Sequence, residues 1–211
     1  MRTLRSSVTI CGAAVLLAAA MGCAAHHAAR LAPPEPVAIA FSRLAVVEFY
    51  DRTPYTGTGE KFTEALREKL AERTTTSDVV IVPRSALHGD DPFTTGRIPV
   101  NDLVRLRRQY MADAVVLGCV DSHNPYRPLS VHLSMKVIDT ATGTVRFELA
   151  DGWDAGSQRV RAEIEDYYAR NYGKDDCRWG PDVFLISPLY YFRFVADRVA
   201  GGMTEKLVAS L

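Results

Sequence analysis

Leu129-Ser130-Val131-His132-Leu133-Ser134-Met135-Lys136-Val137 sets an apolar side chain at every second position and a polar one between. Successive strand residues point to opposite faces, so this stretch reads as a strand with one face on a core and one in water. Thr140-Ala141-Thr142-Gly143 follows as a turn, with Gly143 suited to positive φ. Val145-Arg146-Phe147-Glu148-Leu149 then alternates again, and the two runs predict an antiparallel hairpin. Upstream the pattern differs. Leu44 to Tyr50 and Ala114 to Val120 are nearly continuous apolar runs, as expected of buried strands, the first covered on both faces, and Val79 to Val82 is a short strand stopped by Pro83. Gly118 in the third run suggests a close backbone approach in the sheet centre.

Helical patterns separate these runs. Glu60 to Arg73 places Phe62, Ala65, Leu66, Lys69 and Leu70 on one stripe. Asn101 is a plausible N-cap for a helix from Asp102 to Tyr110, with Leu103, Leu106 and Tyr110 on one face. His88 to Ile98 reads as a loop. After the hairpin, Arg159 to Tyr168 reads as a helix. Ser187-Pro188 starts a last helix, along which Phe192, Val195, Val199, Met203 and Leu207 share a face. The order is β-α-β-α-β-β-β-α-α. It predicts one α/β (α+β) domain over residues 41–211, a mixed sheet of about five strands with helices packed on it and a C-terminal hairpin and helices.

The chain has 211 residues, 47% hydrophobic and 24% charged, which suits one globular domain and excludes whole-chain disorder. Its 25 basic and 25 acidic side chains cancel, so no net field favours nucleic acid. Arg2 and Arg5 precede an apolar run from Val8 to Met21, too short for a span of about 20 residues and of signal-peptide length. Ala20-Met21-Gly22-Cys23 closes it and resembles a bacterial lipobox. That resemblance implies that residues 1–22 are a signal peptide and that Cys23 becomes the mature N-terminus, carrying diacylglycerol and palmitate. Ala24, in place of Asp, implies sorting to the outer membrane. The alternative is an ordinary secretory signal cut near Ala20 or Ala25. Loss of residues 1–22 removes Arg2 and Arg5 and leaves a formal charge of −2. Residues 23–40, rich in Ala, His and Pro, read as the lipidated Cys and a tether, with His26-His27 part of the linker.

Four segments carry a further resemblance: Leu44 to Phe49, Val80-Ile81-Val82-Pro83-Arg84-Ser85, Tyr110 to Gly118, and Val137-Ile138-Asp139-Thr140-Ala141-Thr142-Gly143. In this order, over roughly residues 42–151, they resemble the fold group of the curli-secretion lipoprotein CsgG, the TolB N-terminal domain and the penicillin-binding-protein activator LpoB. The resemblance implies a periplasmic, lipid-anchored, non-catalytic module that binds or assembles with another envelope component. A subunit of an oligomeric curli-type pore is the second reading.

For chemistry, the P-loop, Rossmann, HExxH, GxSxG and CxxC patterns are missing. His88-Gly89-Asp90-Asp91 and Asp121-Ser122-His123-Asn124 set His beside carboxylates, and a metal-dependent hydrolase using His88 and His123 is the third reading. The plainer one is a pair of solvated loops, with no enzyme, metal or cofactor. His132 is expected in solvent. Cys119 reads as a core residue, and a bond to Cys177 is open in an oxidising compartment. Nine of the 19 aromatic side chains lie between Tyr167 and Phe194, most of them destined for the core. Trp179 and Tyr190 are the two expected outside, as a partner-binding surface.

Overall fold

The computed structural model describes residues 41–75, 78–88, 92–95, 98–172 and 179–208. The signal peptide, Cys23, the tether, Gly89-Asp90-Asp91 and Cys177 lie outside the described residues. The strands are β1 (Arg43–Val47), β2 (Tyr50–Asp51), β3 (Asp78–Val82), β4 (Ala114–Asn124), β5 (Ser130–Asp139) and β6 (Val145–Asp154). The helices are α1 (Thr58–Arg73), α2 (Pro92–Thr95), α3 (Val100–Tyr110), α4 (Gln158–Asn171), α5 (Val183–Ile186) and α6 (Pro188–Val208).

The sheet order is β3-β1-β4-β5-β6, with β2 also paired to β4. β1 is parallel to β3 and β4, and β2 continues its lane, pairing Tyr50 with Cys119. β4-β5 and β5-β6 are antiparallel. The mixed sheet is therefore the expected one. The continuous apolar runs of β1 and β4 fill its middle because each of their faces has its own core, whereas the short run of β3 lies at the sheet edge and is mostly half-buried. Leu44, Val46, Val116 and Val120 face the larger core with α1, α4 and α6. Ala45, Val47, Val115 and Leu117 face a smaller core closed by Leu103 and Leu106 of α3. The alternating strand sends Val131, Leu133, Met135 and Val137 into the larger core. His132 on its other face is exposed.

Local chemistry explains the details. A Cβ on Gly118 would lie 2.0 Å from a ring carbon of buried Phe49, so the ring occupies the space that a side chain would need. Gly143 turns the hairpin at φ 71°. There the Asp139 carboxylate accepts the Ala141 and Thr142 N–H groups and pairs with Arg146 at 3.1 Å. Burial opposes its ionisation, but these donors prevail and hold it below the usual carboxylate range. Arg73 of α1 reaches Asp197 of α6 at 2.7 Å, an ion pair buried between the two helices.

Some expectations change. α3 begins at Val100 with Pro99 at the cap position, so Asn101 lies inside it. The loop after His88 contains α2. β4 runs on to Asn124 and β6 to Asp154, because pairing with β5 continues past the apolar stretch.

Candidate functional site: the rim at the strand ends

Open α/β sheets place ligands at the carboxyl ends of the strands, where the order reverses. Here that point lies beside β1, and the chain's own groups fill it. The N-cap residue of α1, Gly57, has no side chain with which to cap. Asp51 of β2 does so instead, its carboxylate accepting the N–H groups of Thr58 at 3.0 Å and Gly59 at 3.2 Å, together with the Thr53 N–H and hydroxyl. The α1 macrodipole is thus met by an internal anion. Burial works against the Asp51 charge, and the four donors outweigh it, so the carboxyl titrates below its ordinary range. Arg52 pairs with Asp121 at 3.3 Å, and Ser134 donates its hydroxyl to the same carboxylate at 2.6 Å. Arg84 donates to the Phe49 carbonyl at 2.7 Å and lies over the Tyr50 ring.

The two histidines named as metal candidates have separate environments. The His88 backbone N–H donates to the Asp102 carboxylate of α3. His123 is half-buried, with Nδ1 3.0 Å from the Ser130 carbonyl and its ring against Phe192 and Tyr55. Burial lowers its pKa, although the Ser130 carbonyl and Asp51 pull the other way. Among the described residues no group of three His, Cys, Asp or Glu is placed to hold a metal ion. Cys119 is buried in β4; its suggested partner lies outside the described residues.

The aromatic-rich segment divides. Tyr167, Phe184, Tyr191, Phe192 and Phe194 are core. Burial pushes the Tyr167 and Tyr191 hydroxyls well above the usual phenol range. Trp179 stands 69% exposed, as expected. Tyr190 does not: it is half-buried, edge-on to Phe184 at 5.6 Å and beneath the Arg193 guanidinium. Tyr190 lies off the Phe192 stripe of α6, but α5 supplies Phe184 as a second neighbour that α6 periodicity cannot reveal.

Three exposed apolar side chains at this end of the sheet were not expected from the sequence. Ile186 is 41% exposed and Leu189 56%, both in the segment that follows Trp179, and Tyr126 of the β4-β5 loop is 69% exposed. A groove of about 570 Å³ joins the two segments, lined by Arg127, Pro128, Ala155, Arg161, Leu185 and Ile186 among others. Tyr126 contacts Tyr55, whose ring meets His123, which in turn packs on Phe192 of α6. The β4-β5 loop is held by Asn124, which accepts the Tyr126 N–H and donates to the Pro128 carbonyl. An aromatic residue stranded in the polar run Asn124 to Arg127 was the visible signal.

No family model and no curated protein matches this sequence. Several solved structures are similar in part. The PelC dodecamer from Paraburkholderia phytofirmans is 18% identical over 62% of this chain and 84% of that one, with a TM-score of 0.41. Lipoprotein GNA1162 from Neisseria meningitidis is 13% identical over 55% and 82%, with a TM-score of 0.40. The LpoB C-terminal domain from Salmonella enterica is 16% identical over 57% and 87%, with a TM-score of 0.36. At such identities and overlaps nothing of what those proteins do passes to this chain.

Proposed function

We propose that this chain is a lipid-anchored protein of a bacterial cell envelope, held at the outer membrane through Cys23, whose periplasmic domain works without catalysis by holding another envelope protein on the strand-end rim. The observation that carries the reading is the rim itself. Trp179, Ile186, Leu189 and Tyr126 are large, apolar and exposed, and Ile186 lines a groove bearing Arg127, next to Tyr126 in the chain, and Arg161. Aromatic anchors with arginine neighbours are the usual material of interface hot spots. The apolar leader ending at Cys23 supports the anchor.

The test is a double variant, Trp179→Ser with Leu189→Ser, compared with wild type after mild solubilisation of membranes. Wild type is expected to migrate on a native gel in a complex heavier than the single chain. The variant is expected to migrate alone with an unchanged melting temperature. A variant that stays in the complex contradicts the rim assignment. A ladder of regular multiples of this chain alone favours the self-assembling pore reading instead.

A further inference from the structure

The smaller core does not close completely. Between α2, α3 and the open face of β4-β5-β6 lies a pocket of about 280 Å³. Its floor is Leu117 and Ile138, its walls are Phe93, Ile98 and Leu103, and Lys136 stands at the edge. Lys136 is the one charged residue among its described lining residues. Val145, which also lines it, is half exposed, and Val100 and Val104 on neighbouring α3 are exposed as well. Apolar surface therefore continues from the pocket onto the outside.

We infer that this pocket binds a single-chain amphiphile with one anionic head, a medium-chain fatty acid, with the alkyl chain over Leu117 and Ile138 and the carboxylate at Lys136. Apart from Lys136 its lining side chains are apolar, as those of small-molecule sites mostly are. Its volume lies just below the range of about 300–1,000 Å³ for such sites, which suits one short chain and not the two of a phospholipid. The charge at its edge selects the head group. Lys136 is paired with Glu148 at 3.1 Å, but Glu148 is largely exposed, and such a pair is weak enough to exchange. The incoming carboxylate takes the place of Glu148 on the ammonium, while the methylenes cover apolar surface that now meets water. On this side α3 packs against β4 and Ile138, while Val145 of β6 stays half exposed, so the pocket opens along the hairpin. This inference uses none of the rim residues and stands apart from the proposed partner binding.

The chain from Ala24 onward contains both cores whole and is the material for the test, with circular dichroism confirming the fold of each variant. Decanoate, below the concentration at which it aggregates, is expected to bind saturably and to shift the methyl resonances of Leu103, Leu117 and Ile138. Lys136→Met is expected to weaken decanoate about tenfold, as loss of one charge-assisted contact does, and to leave decanol unchanged. Glu148→Gln is expected to tighten decanoate, because it releases the ammonium. Methyl shifts absent from the pocket, or decanoate affinities equal in wild type and Lys136→Met, would overturn the assignment.

Discussion

Gly118→Ala should destabilise the domain even though alanine suits a strand better than glycine. Glycine in a strand interior gives up about 0.5–1 kcal/mol to alanine through backbone entropy, so propensity alone predicts a gain. The surroundings reverse the sign. The new Cβ would meet three Phe49 ring carbons at 2.0, 2.1 and 2.4 Å, all well inside contact distance. Phe49 cannot swing away freely, since it is fully buried and packs on Phe62 with ring centroids 5.2 Å apart. Its backbone is pinned as well, by the N–H donated to the Thr63 hydroxyl at 2.9 Å. Overpacking costs about 1–3 kcal/mol, and three contacts this short put Gly118→Ala at the upper end, which leaves a net loss of about 2 kcal/mol and a fall in Tm of roughly 4–8 °C. A double-mutant cycle with Phe49→Leu isolates the cause. Phe49→Leu alone destabilises by making a cavity, and in its presence Gly118→Ala should cost much less, giving a coupling of about 1 kcal/mol or more. Thermal and urea melts of the four proteins provide the numbers. A Gly118→Ala variant as stable as wild type, or two additive losses, would refute the claim that Phe49 occupies the Gly118 space.

Val116→Asp should abolish the cooperative melt, because Val116 is fully buried among the apolar side chains of the larger core, opposite Val137, where a carboxylate would find no partner. Trp179→Ala should change stability by less than about 0.5 kcal/mol, as for an exposed site, whereas Tyr190→Ala should cost about 1–2 kcal/mol through its contact with Phe184; separate melts check both. The lowered pKa of His123 means that the unfolded chain takes up that proton first as the pH falls. Its contribution is therefore present above about pH 6.5 and is lost below it, and His123→Phe should flatten the stability profile in that window. Cys23→Ala should remove label from a radioactive fatty acid and release the protein from membranes; equal labelling of both forms would contradict the anchor.

Much of the fold was legible because its signals are local. The continuous apolar runs of β1 and β4 marked strands covered twice, and the alternating run of β5 a strand with one face on the core, whereas the continuous run of β3 lies half-buried at the sheet edge. Gly118 and Gly143 announced a close approach and a turn, and both occur. What the sequence hid depends on neighbours far along the chain. Capping of α1 by Asp51 requires knowing that β2 ends beside that helix. Ser122 and His123 lie in a strand because β5 pairs with them, not because of their own propensity. Tyr190 was misplaced for the same reason, since its burial comes from α5. The rim was only partly legible: Trp179 sits in a loop without periodicity, which was enough to read exposure, whereas Ile186 and Leu189 resemble the core residues around them until the direction of α6 is known.

Site-specific photocrosslinking in living cells tests the rim most directly. A photoreactive amino acid at position 179 is expected to give one discrete adduct with another envelope protein, and the same residue at Glu165, exposed on α4, is expected to give none. No adduct from position 179, or the same adduct from both positions, would contradict the account.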